Sequence, residues 1–343
     1  MSKLITVFGA TGNQGGSVIK HLLADPTFSK EFKIRGITRD VSKPAAQSLK
    51  AQGVELVTVS SSFSQATKAV AQYTNLSNKA DMNSKTSVAA AIKGSHTVFL
   101  VTNYWETADP AIELAQGKNV ANAAKEAGVQ HIIFSSLVNV TEATNGRLTH
   151  VPHFDIKAEI EKHIRATGVP CTFVLPGYFM SNFPQFIHKG EDETYSFSLP
   201  IGKQSRFPLL DAAQDMGSSR LALLSRRLTK LISISGKFVK AAIKNADKLN
   251  GKRIFAATDY YSAERILSEI EKITGAKTSY NQISSEQYKS FLPEFMAEEM
   301  LENHLLIENP GYYAGASLDE SLALLEEKPT TWEEFVARSG AFR

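Results

Sequence analysis

A doubly wound α/β fold, with a parallel sheet and a smaller C-terminal α/β lobe, is predicted by three features of this 343-residue sequence. Short apolar, β-branched runs alternate with segments of helical period through the first half. A glycine-rich stretch follows the first of those runs. The rhythm then breaks after residue 176, where segments grow longer, more aromatic and richer in Pro and Gly.

Leu-Ile-Thr-Val-Phe at 4–8 reads as the first strand, apolar enough to be buried on both faces. Glycines follow at 9, 12, 15 and 16, and 17–23 reads at helical period. Residues 32–38, 54–57, 97–101, 131–134 and 171–175 read as five further strands, with helices between most of them, notably 111–127 and 154–166. This order predicts right-handed crossovers and a ligand held beyond the strand C-termini. The first domain is set at 1–175 and the second lobe at 176–343. In that lobe, 260–264 reads as a strand end running into a helix, and 330–336 as a capped terminal helix.

A hydrophobic share of 43% and a charged share of 21% fit a globular protein and exclude collagen-like and disordered classes. No apolar run approaches the ~18 residues of a membrane helix. Met1 is followed almost at once by a strand, without the apolar core and cleavage site of a signal peptide. Cys171 is the only cysteine, so an intramolecular disulfide is excluded and a reducing compartment fits. The expected location is the cytoplasm. A net charge of +3 is too weak to argue for direct nucleic-acid binding.

Gly9-Ala10-Thr11-Gly12-Asn13-Gln14-Gly15 has the spacing G-x-x-G-x-x-G. Glycine is needed where the chain turns sharply and where backbone N–H groups must approach a diphosphate. The helix starting near Gln14 aims its positive end at that group. Placed between a first strand and a helix, the loop reads as a Rossmann dinucleotide site, with an ordinary βα turn as the competing reading. The end of the second strand selects the cofactor: an acid there binds a ribose 2′-hydroxyl, and an arginine accommodates a 2′-phosphate. Here Arg39 follows the strand, Lys43 is nearby, and Asp40 falls in a register that points away. NADP(H) is therefore preferred over NAD(H), with Arg39 as a solvated surface charge as the alternative.

The residues at 9–16 (Gly-Ala-Thr-Gly-Asn-Gln-Gly-Gly), 38–40 (Thr-Arg-Asp) and 101–105 (Val-Thr-Asn-Tyr-Trp) resemble the NmrA-like family. So do 151–159 (Val-Pro-His-Phe-Asp-Ile-Lys-Ala-Glu), 175–180 (Leu-Pro-Gly-Tyr-Phe-Met) and 330–335 (Thr-Thr-Trp-Glu-Glu-Phe). These proteins are atypical relatives of the short-chain dehydrogenases/reductases. The resemblance covers nearly the whole chain and implies a Rossmann domain with a smaller C-terminal lobe. It implies NADP(H) or NAD(H) as cofactor. Several members sense the cofactor rather than turn it over, and others are related to reductases of quinones and phenylpropanoids. By this resemblance, the loop that Gly9 opens would hold the diphosphate through Thr11, Gly12, Asn13, Gln14, Gly15 and Gly16. Arg39 and Lys43 would meet the 2′-phosphate, and Asp81 would lie near the adenine. Thr102, Asn103 and Tyr104 would line the ribose and nicotinamide side. Lys157 would reach the nicotinamide ribose, and Tyr178, Phe179 and Met180 would close over the nicotinamide.

Short-chain dehydrogenases carry Tyr-x-x-x-Lys on one helix, where the spacing puts both side chains on one face and the lysine eases proton exchange by the phenol. The matching stretch here is His153-Phe154-Asp155-Ile156-Lys157, with histidine in place of tyrosine. Ser135 and Ser136 end the preceding strand, where the usual serine partner sits. His153 and Lys157 are the candidate catalytic pair. Histidine can donate a proton, but this one is shorter than tyrosine and follows Pro152, so it also reads as a helix cap. Two functions stay open. One is a cofactor-sensing regulator with weak or no dehydrogenase turnover, which implies a protein partner and allows a nuclear fraction. The other is an NADPH-dependent reductase of a small carbonyl, quinone or related electrophile. No cluster has metal-ligand spacing. Cys171 reads as a small buried hydrophobe. Glu298-Glu299, Glu326-Glu327 and Glu333-Glu334 read as solvated helix faces, and His96, His150 and His188 have no recognisable partner. A substrate pocket would use Tyr178, Phe183, Phe207 and Tyr260, which read equally as core aromatics.

Two stretches interrupt this pattern. Residues 59–79 and 218–236 contain no acid, and each separates segments that would join into a continuous strand or helix. Their codons can spell splice signals, so both read as translated, unremoved introns. The competing readings are a regulatory loop for such a polar insertion and, at 221–228, a basic amphipathic helix. Excision of both takes the net charge from +3 to −3, so the basic balance depends on them.

Overall fold

The computed structural model describes residues 2–59, 79–80, 82–211 and 235–342. Most of 59–79 and 218–236, and Asp81, lie outside the described residues. The chain divides into two units: 1–136 with 159–174 and 213–253, and 137–158 with 175–212 and 254–343.

The first unit is built on parallel strands β1 (Lys3–Val7), β2 (Phe32–Thr38), β3 (Glu55–Val59), β4 (Lys79–Ala80), β5 (Thr97–Leu100), β6 (His131–Ser135) and β7 (Cys171–Pro176). Their order is β7-β6-β5-β1-β2-β3-β4, every pairing is parallel, and β12 (Lys252–Ala256) adds an eighth strand beside β7. The order reverses at β1, which makes the C-terminal ends of β1, β2 and β5 the switch point where ligands bind in such sheets. The central strands β5 and β6 are buried along their whole length, as their unbroken apolar runs require. Between the strands run α1 (Asn13–Ala24), α2 (Pro26–Glu31), α3 (Pro44–Ala51), α4 (Lys85–Ile92) and α5 (Pro110–Glu126). Asp109 caps α5 by accepting the Ala111 N–H, and Pro110 supplies a pre-set φ at its first turn. After α6 (Val140–Ala143), helix α7 (Pro152–Thr167) leads into β7. Ile160 of α7 packs against Gly117 of α5, where a Cβ would come 2.6 Å from its side chain.

The second unit carries two three-stranded sheets. One runs β8 (Tyr178–Phe179), β11 (Arg206–Leu210), β13 (Asp259–Ser262), and the other β9 (Ile187–Lys189), β10 (Tyr195–Leu199), β14 (Thr278–Gln282). Its core is aromatic. The rings of Phe183 and Trp332 lie 4.9 Å apart, and Phe183 also meets Phe197 and Phe207. The expected strand-to-helix passage at 260–264 is present, with Ser262 capping α9 (Ala263–Thr274) through the Arg265 N–H. The expected capped terminal helix is also present. Thr331 and Glu334 form a reciprocal capping box at the start of the C-terminal helix, Trp332–Ser339.

Helix α8 (Ser235–Lys244) belongs to the first unit and packs on α1. Gly236 donates its N–H to Ser17 Oγ, and a Cβ there would lie 2.4 Å from His21 Nδ1 and Ser17 O. Only glycine fits at that contact.

Candidate functional site

The loop after β1 is closed on itself and tied to three strands. Phe8 donates its N–H to Phe99 O on β5, and Ala10 donates to Ile37 O on β2, each at 2.9 Å. Gly9 turns with φ of 65°, and a Cβ there would come 2.9 Å from Val101 Cγ1. A Cβ on Gly15 would sit 2.3 Å from Gly9 O. The Thr11 and Thr38 hydroxyls are 3.0 Å apart. Helix α1 opens at Asn13 with Gly12 at its cap, no side-chain cap bond and no acid in its first turn. Gln14 accepts the Ser135 hydroxyl at 2.7 Å, which fixes the helix start to the end of β6. The result is a narrow, acid-free turn that opens a helix. Diphosphates bind in such a cradle through backbone N–H groups and the helix dipole, so these residues fit a dinucleotide.

Around this cradle, Arg39 is exposed at the end of β2, with Nη1 3.3 Å from Glu106 Oε1. The Asp40 carboxylate accepts the Ser42 hydroxyl at 2.6 Å and its N–H at 2.8 Å, and these bonds hold it below the usual carboxylate range. It is used within its own turn. Lys43 is exposed at the start of α3. Beyond β5, Thr102 is buried and donates its hydroxyl to Glu113 Oε1 at 2.5 Å. Asn103 is exposed, and Tyr104 is buried edge-on to Trp105, with ring centres 5.1 Å apart. All of these belong to the first unit.

The other candidates belong to the second unit. His153 and Lys157 lie one turn apart on α7, as their spacing predicts, and both are partly buried. The His153 ring Nδ1 is bonded to Glu299 Oε1, and its backbone N–H donates to the same oxygen at 3.2 Å. Three residues earlier, His150 meets Glu302 in the same way, with Nδ1 at 2.8 Å from Oε1 and the backbone N–H donating to Oε2 at 2.6 Å. The Glu302 carboxylate raises the His150 imidazole pKa. Both acids stand on one side of helix Glu294–Glu308 and are buried. This corrects one expectation, since Glu299 is not part of a solvated face, and it gives His150 a partner that no spacing in the sequence marks. Glu298 and Glu333 do lie outward, paired with Lys289 and Lys272. In the first unit, the Ser135 and Ser136 hydroxyls donate to Gln14 and to Glu161 Oε2.

Tyr178 and Met180 are buried and Phe179 is partly so. Tyr178 packs edge-on to Phe183 and Phe207, its hydroxyl is 3.4 Å from His304 Nε2, and burial raises its pKa well above the usual phenol value. Burial likewise lowers His304 to about 4. Phe183 and Phe207 are wholly buried core residues, and Tyr260 gives its hydroxyl to Ala316 O. The sequence reading missed Glu113, Glu161, Glu299 and Glu302. Each is a buried acid, and the two on the late helix pair with residues about 150 positions away, where local spacing carries no signal. Among the described residues, no acidic, His or Cys cluster could hold a metal, and no helix is long and apolar enough to cross a membrane.

The family model described as the NmrA-like family matches residues 1–336. The NmrA-like oxidoreductase ptmS of Penicillium ochrochloron is 34% identical over 236 residues, which is 63% of this chain and 62% of that protein. The chain therefore spans under two thirds of that relative's length. Among solved structures, the negative transcriptional regulator NmrA in complex with NADP superposes with a TM-score of 0.73 at 21% identity, covering 98% of this chain and 95% of the other. The same regulator is also solved with NAD, at a TM-score of 0.73 and 20% identity over the same shares of the two chains. The triphenylmethane reductase of Citrobacter sp., complexed with NADP(H), gives a TM-score of 0.70 at 21% identity, over 98% of this chain and 99% of the other.

Proposed function

The chain belongs to the NmrA-like family, and from that premise we propose that it binds NADP(H) in the cradle after β1 and reports the state of that cofactor, with weak or no dehydrogenase turnover. The observation that carries this reading is the tight turn into α1, where a Cβ on Gly15 would come 2.3 Å from Gly9 O and one on Gly9 2.9 Å from Val101 Cγ1. Thr11, Gly12, Asn13, Gln14, Gly15 and Gly16 are assigned to that diphosphate. Arg39 and Lys43 are assigned to the 2′-phosphate, with Asp40 turned into its own loop. Bound there, the cofactor supplies a nicotinamide able to exchange a hydride. The NADP complex of the similar regulator supports the cofactor class, and its NAD complex leaves the preference for NADP(H) to be measured.

Weak turnover is favoured because the histidine that replaces the usual tyrosine is held by Glu299, and Ser135 and Ser136 give their hydroxyls to other partners. A sensor of this kind acts through a protein partner. The second reading is an NADPH-dependent reductase of a small carbonyl, quinone or related electrophile. It is favoured by the names of the ptmS oxidoreductase and the triphenylmethane reductase. Following NADPH absorbance with a panel of quinones, aldehydes and triarylmethane dyes separates the two. The sensor reading expects oxidation no faster than in buffer. Steady oxidation that is lost on Lys157→Ala replaces it with the reductase.

A further inference from the structure

Helix α5 carries polar residues at every third position, Glu113, Gln116, Asn119 and Asn122, a row that winds round the helix beside its buried Gly117, Val120, Ala121, Ala123 and Ala124. Such a row is costly next to a core unless each group has a partner. Every member of the row does. Glu113 accepts the Thr102 hydroxyl at 2.5 Å. Gln116 Nε2 donates to Asn83 Oδ1 at 3.4 Å, and Asn119 Nδ2 donates to the Met82 carbonyl at 2.9 Å. Asn122 Oδ1 lies 2.9 Å from His163 Nε2 on α7.

The first three partners lie just past strand C-termini. Thr102 follows β5, whereas Met82 and Asn83 follow β4. In the sheet, β5 is on one side of β1 and β4 is on the other, beyond β2 and β3. A dinucleotide seated on the β1 loop lies across the switch point, with its two nucleosides on opposite sides of β1. Successive turns of one helix therefore hold a strand end on each side of the proposed cofactor site.

We propose that α5 is a positioning strut for the dinucleotide, with Glu113 fixing the nicotinamide-side wall at Thr102 and Gln116 with Asn119 fixing the adenosine-side wall at Met82 and Asn83. The assignment rests on the dinucleotide-binding reading above. It makes these three positioning residues, since they act through Thr102, Met82 and Asn83 and do not themselves meet the cofactor.

The experiment is calorimetric titration of the full chain and its variants with NADPH, adenosine 2′,5′-bisphosphate and reduced nicotinamide mononucleotide, with the unfolding temperature recorded for each. Asn119→Ala is expected to weaken adenosine 2′,5′-bisphosphate about tenfold, as for one lost anchoring bond, and to leave the mononucleotide unchanged. Glu113→Ala is expected to do the reverse, and Glu113→Gln, which keeps an acceptor, to restore affinity. If Glu113→Ala does not fold, Gln116→Ala carries the test on the other wall, with adenosine 2′,5′-bisphosphate weakened and the mononucleotide unchanged as the expected result. Equal losses for both fragments, or undiminished affinity in both alanine variants, overturn the strut. If the unaltered chain binds no NADPH, the dinucleotide reading fails and the strut falls with it. Binding by the unaltered chain with no fragment-specific loss in the variants overturns the strut alone.

Discussion

The loop at 9–16 and the helix entry at 150–157 carry two of the family-like motifs, and their surroundings differ in kind. The loop is held by backbone bonds and by contacts that only glycine satisfies, and its first helical turn is left without a side-chain cap. The helix entry at 150–157 is held by side chains: Glu299 and Glu302 each take one imidazole and one backbone N–H from it. The first region leaves the start of its helix without a side-chain cap. In the second, the histidine at the position of the usual tyrosine is tied through its ring and its backbone N–H to Glu299. Motif spacing alone would give both the same standing, and the partners separate them.

The largest expected effect breaks the first region. Gly15→Ala places a Cβ where the Gly9 carbonyl stands, so the loop must open. NADPH affinity is expected to fall by more than about a hundredfold, read by calorimetry. In the second region, His153→Ala leaves the buried Glu299 carboxylate without its imidazole. Stability is expected to drop by about 1–3 kcal/mol in urea unfolding, the cost of a buried polar group losing its partner, while NADPH affinity stays within about threefold. A large loss of NADPH affinity at unchanged stability would erase the contrast.

Arg39→Ala sharpens the reading of the first region. It is expected to weaken NADPH about tenfold and leave NADH unaffected, since the charge-assisted bond is to the 2′-phosphate alone. Equal effects on both cofactors would return Arg39 to a surface charge paired with Glu106. The smallest effect is the pH response of His150. Its pKa is raised by Glu302, so the stability from this pair is present below the unfolded value near 6.5 and is lost as pH rises through the folded value. The pair is largely exposed on the histidine side, so screening keeps the effect small. Comparing the unfolding temperatures of the unaltered chain and His150→Gln at pH 6 and pH 8 reads it. A difference that grows toward pH 8 would contradict the sign.

Most of the first unit was legible because its signals are local. Apolar runs at 131–134 and 171–175 give strands His131–Ser135 and Cys171–Pro176. The strand Lys252–Ala256 at the sheet's edge was not legible, because its exposed Lys252 and Arg253 break the apolar pattern. The role of Glu299 was hidden for a different reason. Beside Glu298 it looks like half of a solvated pair, but successive helical residues point about 100° apart, so one faces out and its neighbour in. Its partner is 146 residues away.

The expectation that 59–79 and 218–236 are unremoved introns falls mostly outside the described residues. One described contact bears on it. Gly236 must be glycine against Ser17 and His21, and excision of 218–236 would bring Gly217 to the position before Lys237. The packing requirement is met with or without the segment, and sequencing the spliced message decides between the two.

The central claim is that the cradle after β1 holds NADP(H) in this chain. Calorimetric titration of the full 343-residue protein with NADPH and NADH side by side tests it most directly. The predicted result is one NADPH bound per chain, with NADH at least about tenfold weaker. Binding of neither cofactor, or of NADH as tightly as NADPH, would contradict the account.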